Sequence, residues 1–360
     1  MRRSTSLLLS AVLLAGLAAC GDDDEDGVAP IPYQDDGKLT VLTRNLYLGA
    51  DLRAVIEAGT DPTAFVTATT GVWNQVQANR FDLRAEALAD EILVTFPDVI
   101  GLQEVSLWRT QSPGDSAGAR TPATAVALDY LAILLDKLSA RGLTYVAAQQ
   151  LELFDVEVPV ASGQDVRLTD RQVILVREGV PFVAGPGEQG VFSSLLPLPV
   201  FGATLPVKRG WTKAEVTVGG EDVTVYGTHL EAFDESARDA QAAELATILD
   251  AETGRVVLVG DLNSTPGTGG HLAATNAGFA DVWTSVGAGA GLTCCFAADL
   301  SAPRSVENDL QARIDFVLVR PGDGDLTPES AHVVGDQDAD RIASGLWPSD
   351  HAGVVATIAP

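Results

Sequence analysis

The chain has 360 residues, 46% of them hydrophobic, and carries 49 Asp and Glu against 23 Lys and Arg, a formal charge of −26. Such a surface repels polyanions, which excludes a groove that holds nucleic acid by basic side chains alone. The acidity suits a soluble exported protein, and the length is enough for one large domain or two ordinary ones.

At the N-terminus, Arg2 and Arg3 precede an apolar run from Leu7 to Leu17 that is too short to span a bilayer comfortably. Leu17-Ala18-Ala19-Cys20 follows, and this ending resembles a bacterial lipoprotein lipobox. The resemblance implies a signal peptide over residues 1–19, lipid attached to the Cys20 thiol, and export to the bacterial cell envelope as a lipid-anchored protein. Residues 20–37, acidic at Asp22–Asp26 and containing Pro and Gly, read as a flexible tether. No internal repeat or long linker follows, so residues 38–360 read as one domain, a monomer with no protein partner.

Lys38–Leu48 is β-rich. Phe81–Phe96 carries Leu83, Ala87, Leu88 and Ile92 at helical spacing and stops at Pro97. Asp98–Glu104 (DVIGLQE) is a short apolar strand with a carboxylate at its far end, and Ala123–Leu138 reads as a second helix. Ser106–Pro122 and Gly179–Pro206 read as loops, with strands at Tyr145–Leu153 and Gln172–Val176. Trp211–Val218 and Asp222–Thr228 flank Gly219-Gly220 as a hairpin closed by His229. Asp234–Asp250 is a third helix, and the apolar run Val256–Val259 leads into Gly260-Asp261-Leu262-Asn263. Arg313–Val319 and Gly353–Ile358 are the last strands, the second preceded by Ser349-Asp350-His351. The order lacks strict strand–helix alternation and has a hairpin at its middle. That pattern predicts an α/β (α+β) chain of two packed sheets with helices outside. Cys294 and Cys295 are two of three cysteines. Their adjacency does not match the spacing of a structural zinc site, and a vicinal disulfide and two small buried thiols both fit.

The strand ends share a chemistry. Asp261 and Asn263, two apart on an extended end, point to one side. Asn45, Glu104, His229, Asp315, Asp350 and His351 stand at or beside other strand ends, and two of the four histidines fall in this set. Each has a plain structural reading: a turn cap for Asn45, a solvated end for Glu104, an ion pair with Arg313 for Asp315, a hydrogen-bonded core residue for His229. Together they supply oxygen ligands for a hard cation and donors for a phosphoryl group. Arg209 and Arg171 offer substrate contacts, or a hairpin edge and a strand-start ion pair. Trp73, Trp108 and Trp347 offer either a head-group contact or loop packing.

TRN at 43–45, LQE at 102–104, GTHL at 227–230, GDLNSTP at 260–266, RIDFVL at 313–318 and SDH at 349–351 occur in the order of the endonuclease/exonuclease/phosphatase superfamily. The resemblance spans residues 39 to about 358. It implies a four-layer, DNase I-like sandwich of two mixed sheets flanked by helices, and a metal-dependent phosphoester hydrolase. Glu104 then resembles the principal Mg²⁺ ligand (Mn²⁺ or Ca²⁺ being the alternatives), with Asn45 and Asp350 close to the metal. His351 resembles the histidine that acts as general base or polarises the phosphate, and Asp315 the carboxylate that orients it. Asp261 and Asn263 resemble the pair that handles water or leaving group and holds the phosphate, and His229 a donor to a phosphoryl oxygen. GTHLEA at 227–232, with Arg238 and Gln241 on the next helix, is similar to sphingomyelinase-type and related bacterial members. The acidic surface and the lipid anchor favour a phospholipid or small phosphodiester; an extracellular DNase I-like endonuclease is the alternative. A non-catalytic surface lipoprotein would show lost site residues, and all are present.

Overall fold

In this computed structural model residues 28–115, 121–183, 188–200 and 203–360 are described. The leader over 1–19, Cys20 and the start of the expected tether lie outside the described residues. No helix among the described residues is long and apolar enough to cross a membrane.

The inner layers are two mixed sheets. The first contains β1 (Leu39–Asn45), β2 (Val99–Gln103), β3 (Leu107–Gln111), β4 (Ala125–Asp129), β5 (Tyr145–Pro159) and β6 (Asp165–Arg177). The second contains β7 (Gln189–Val191), β10 (Gly210–Val218), β11 (Glu221–His229), β12 (Arg255–Asp261), β13 (Ala280–Asp281) and β14 (Asp315–Arg320), while β8 (Leu196–Val200) and β9 (Ala203–Val207) pair only with each other. From the far end of the chain, β15 (Thr327–Val334) and β16 (Gly353–Ala359) return to the first sheet. Its order is β15-β16-β1-β2-β6-β3-β4 with β5 on the other edge of β6; that of the second is β13-β14-β12-β11-β10-β7.

Period-two alternation sorts side chains between layers. Val41, Val99, Val257 and Val259 meet in the core between the sheets. Their neighbours Leu42 and Ile100 face outward onto the helices α2 (Pro62–Ala78), α3 (Phe81–Thr95) and α4 (Tyr130–Ser139), which follow the short α1 (Arg53–Ala58). Val256 and Leu258 face α5 (Glu235–Asp250) and α6 (Gly269–Asn276), the latter followed by α7 (Val282–Val286). This is the expected four-layer sandwich. Two glycines permit the close contacts: a Cβ on Gly101 would lie 2.4 Å from Val259, and one on Gly260 would lie 2.1 Å from the Thr228 carbonyl.

Several stretches differ from expectation. Ala123–Leu138 is not one helix, because the Asp129 carboxylate accepts from Leu131 N–H at 3.1 Å and starts the helix there, freeing Ala125–Asp129 to pair with β3 as an edge strand. The presumed loops contain β3 and β7 to β9. Helix α2 is new, and Asp61 caps it at Thr63 and Ala64 with Pro62 in its first turn. From Val28 on, the expected tether packs on the domain: Ile31 N–H donates to Gly142 O (2.8 Å), and Tyr33 lies 4.9 Å under Arg177.

One buried cation ties the first sheet to the segment before β16. Arg84 on α3 is fully buried and donates to the carbonyls of Asn79 (2.9 Å), Leu46 (2.9 Å), Tyr47 (3.2 Å) and Pro348 (2.7 Å). Replacing it strands these acceptors without solvent, each costing about 1–3 kcal/mol. Arg84→Leu is therefore expected to lower unfolding free energy by at least about 3 kcal/mol in urea titration, and a loss under 1 kcal/mol would show that the clamp does not carry load.

Candidate active site

Strand register assembles the polar groups. Parallel pairing places His229 beside Asp261 and antiparallel pairing places Asp261 beside Asp315, so three neighbouring strands end in one row. On the facing sheet Asn45 ends β1 opposite Gln103, and Glu104 follows. Glu104 and Asn263 adopt φ of 55° and 45°, left-handed conformations that non-glycine residues hold at a cost of about 1–3 kcal/mol and that concentrate at functional sites. The turn at Glu104 brings its carboxylate back to accept from Leu48 N–H at 2.7 Å. Ser349 Oγ donates to Asn45 O at 2.8 Å and holds Asp350 and His351 against β1.

The contacts fix the proton positions. His351 Nδ1 lies 2.9 Å from Asp315 Oδ2, so Nδ1 carries hydrogen. Burial opposes charge on this imidazole, but Asp315 and Asp350 outweigh it and raise its pKa well above the usual value. His229 is the opposite case. Its Nδ1 sits 3.0 Å from Arg209 Nη1, and a guanidinium only donates, so the ring hydrogen is on Nε2, 3.5 Å from Asp261 Oδ2. Burial, Arg209 and His351 together hold His229 neutral.

Asp261 is the hub. It accepts from Asn263 N–H (2.9 Å) and Asn45 Nδ2 (3.2 Å), and Asn263 Nδ2 donates to Leu230 O at 2.9 Å. Burial and the neighbouring Asp315 push its pKa up to about 7; burial pushes Asp350 to about 6. Asp170 on β6, in the stretch Thr169-Asp170-Arg171 that the sequence offers for substrate contacts or a strand-start ion pair, joins the same cleft, and burial raises it to about 7. The signal for it was the pleat: Val166, Leu168 and Asp170 all face the cleft at period two.

Trp347 and Arg171 do not reach the cleft. Trp347 is wholly buried, stacked on Phe296 with centroids 3.8 Å apart, and touches no cleft. Arg171 faces away from the cleft and bonds Val105 O (2.8 Å) and Asp129 (2.5 Å), which makes it a brace between β6, the turn after β2 and α4. Arg209 lines the cleft but is buried and committed to His229, Glu231 and Asp170. Arg313 pairs with Asp281 at 2.7 Å, which leaves Asp315 to His351. Cys294 and Cys295 form a disulfide.

A sequence model described as the Endonuclease/Exonuclease/phosphatase family matches residues 72–351. The chain belongs to the endonuclease/exonuclease/phosphatase family. Solved structures share the fold: a humanised TDP2 from D. rerio (18% identical, TM-score 0.51, covering 90% of this chain and 99% of that one) is one. Others are a Beutenbergia cavernae endonuclease/exonuclease/phosphatase (24%, 0.51, 89% and 71%) and a Bacteroides thetaiotaomicron mannosyl-6-phosphatase (16%, 0.54, 89% and 99%). No curated protein matches the chain in sequence. Members of this family are phosphoester hydrolases that usually employ a divalent metal, and the chain is a hydrolase of this superfamily.

The residues fit such a cation. Glu104, Asp170, Asp261 and Asp350 line one cleft, and Asp170 Oδ1 and Asp315 Oδ1 are buried without a hydrogen-bond partner. Asp261, Asp315 and His351 also bring ligand atoms within 4.8 Å of one another. Carboxyl pKa values raised in the fold mean that the cation-free protein loses stability as pH rises from about 4, the unfolded carboxyl value, to about 7. A cation that pairs with these groups restores it. Mg²⁺ at one hundred times Kd is therefore expected to add about 2.7 kcal/mol of unfolding free energy and so raise the Tm over EDTA, with a larger gain at pH 8 than at pH 5. Equal Tm with and without Mg²⁺ at pH 8 would refute the site.

Proposed function

We propose that the chain is a divalent-metal-dependent phosphodiesterase acting on amphiphilic phosphoesters, exported and held at the cell envelope through lipid on Cys20, with residues 38–360 as its one catalytic domain. The observation that carries the substrate class is the cleft. About 460 Å³ in volume, it runs from the Asp261 hub between α1–α2 and one face of the β5–β6 hairpin, where Phe154, Val156 and Val158 repeat at period two. Leu52, Trp73 and Trp108 close the other side. A polar floor with apolar walls suits an ester whose phosphoryl group sits at the hub and whose hydrocarbon part lies along the arm. Among the described residues no lysine lines it; Arg53 and Arg209 are its arginines, Arg209 is already engaged, and His351 is held by Asp315. A nucleic-acid backbone would find little to hold.

In this reading Glu104, Asn45 and Asp350 hold the cation, with Asp170 beside them. When bound, the cation neutralises phosphoryl charge and lowers the pKa of bound water. Asp261, held by Asn45 and Asn263, accepts the proton of the attacking water. His351 keeps Nδ1–H on Asp315 and offers Nε2–H to the phosphoryl or leaving oxygen; of its two expected roles, the raised pKa favours the donor over the general base. His229, held neutral by burial and Arg209, and Asn263 donate to the remaining oxygens, each such donor contributing about 3 kcal/mol.

Two measurements test this. His351→Ala is expected to cut kcat by about 10²–10⁴ with Tm nearly unchanged, and Glu104→Gln to act similarly through the cation; full activity in either variant sinks the assignment. Against a series of phosphocholine esters of rising chain length, kcat/KM is expected to climb about fourfold per methylene, the equivalent of about 0.8 kcal/mol, until the arm is filled, and Val156→Asp to flatten the climb. No chain-length dependence, with plasmid DNA nicked, would make the enzyme an anchored nuclease.

A further inference from the structure

The disulfide Cys294–Cys295 has no part in the chemistry above, yet it lines the cleft beside it. Cys295 is exposed, and its Sγ lies 3.8 Å from His351 Nε2, the nitrogen that faces substrate in the proposed reaction. The segment around the pair straps together the two stretches of backbone that carry the His351–Asp315 dyad. Cys294 forms isolated antiparallel bridges to both Ala312 and His351. Cys294 N–H donates to Ala312 O (2.9 Å), and Cys294 O accepts from Gln311 and Ala312 N–H. One residue earlier, Thr293 Oγ1 accepts from Ile314 N–H (3.1 Å) and Asp315 N–H (3.2 Å), while Thr293 O accepts from Ala352 N–H (2.8 Å). One residue later, Phe296 N–H donates to Asp350 O (2.8 Å). Thr293 to Phe296 is thus hydrogen-bonded to the backbone on both sides of the dyad.

We propose that Cys294–Cys295 is a redox modification site for thiol reductants that switches this centre: oxidised it is active, reduced it is slow. The proposal rests on the role given above to His351. A thiolate of the reductant attacks the exposed Cys295 Sγ, breaking the S–S bond, and Cys294 leaves as a thiolate and takes up a proton. The second thiol of a dithiol reductant then attacks the mixed disulfide and releases the Cys295 thiol. Two electrons and two protons pass to the cysteines, and the reductant ends as its own disulfide. Two thiols cannot remain at the bonded distance of about 2.05 Å. Breaking the bond opens the ring that fixes the peptide between them, whose carbonyl accepts from Gln311 and Ala312 and whose neighbours Thr293 O and Phe296 N–H hold the Ala352 and Asp350 backbone on either side of His351. The freed Cys295 sulfur can also turn to accept from His351 Nε2–H, 3.8 Å away, and so compete with the substrate oxygen for that hydrogen.

The test uses the full chain, a chromogenic phosphodiester and dithiothreitol, with thiols at 294 and 295 counted by peptide mass. Reduction is expected to lower kcat about tenfold or more, the scale of a small misplacement of a reacting group, with KM moving less, and reoxidation to restore it. The Cys294→Ser/Cys295→Ser double variant should turn over at the reduced rate and ignore dithiothreitol. A second readout needs no turnover: carbethoxylation of His351, followed by peptide mass, should slow severalfold on reduction. Reduced protein that keeps the oxidised rate, or His351 reactivity indifferent to the thiol count, overturns the switch. Oxidised protein that hydrolyses no phosphoester refutes the functional reading instead, and the His351 reactivity then decides the switch alone.

Discussion

Register governs this molecule. His229, Asp261 and Asp315 lie more than thirty residues apart in sequence, and they form a row because β11, β12 and β14 pair without offset at their ends. A slip of one residue on β12 would turn Asp261 into the sheet interior and bring Leu262 or Gly260 into its place. Gly260 lets β11 and β12 approach closely enough to keep that pairing, since any side chain there would meet the Thr228 carbonyl. The valine core between the sheets pins the same register from the other direction, because each valine faces inward only when each acid faces the rim.

The row brings together more negative charge than its few cations answer. Arg84 and Arg44 are buried close by, but they spend their donors elsewhere: Arg84 on four carbonyls, Arg44 on Glu91 and the His351 carbonyl. They hold the site's backbone rather than neutralise its acids. The imbalance surfaces as carboxyl groups pushed toward neutrality and as orphaned carboxylate oxygens, the state expected of a cage built around a cation. The two histidines are then set apart by their partners, a carboxylate behind one and a guanidinium behind the other.

Much of this was readable beforehand. Apolar runs ending in Asp, Asn, Glu or His gave the strands, their order and the polar groups at the rim, because period two and strand-end chemistry are written in neighbouring residues. Arrangement across layers is not. Arg84 sits on a helix whose periodicity was plain, and nothing local says that its side chain turns inward to four carbonyls. Helix α2 has four threonines and a glycine, which weigh against helix on propensity, although Asp61-Pro62 and the spacing of Phe65, Thr69, Val72 and Val76 announce it. Asp170 and Arg171 stood together in the sequence as one polar pair, and the pleat sends them to opposite sides, one into the cleft and the other to a brace. Trp347, near His351 in sequence, went to the core because Phe296 offered it a flat partner.

The first sheet closes by pairing β1 with β16, Leu39 against Ile358. Nearly the whole chain is the loop between them, and pairings this distant in sequence make folding slow. Asp350 and His351 have no frame until that last strand docks. A chain still on the ribosome carries most of the acidic residues and none of the assembled centre. Hydrolytic power therefore arrives in one step, at the place where the two ends of the domain finally meet, and whatever phosphoesters surround the chain before then are safe from it.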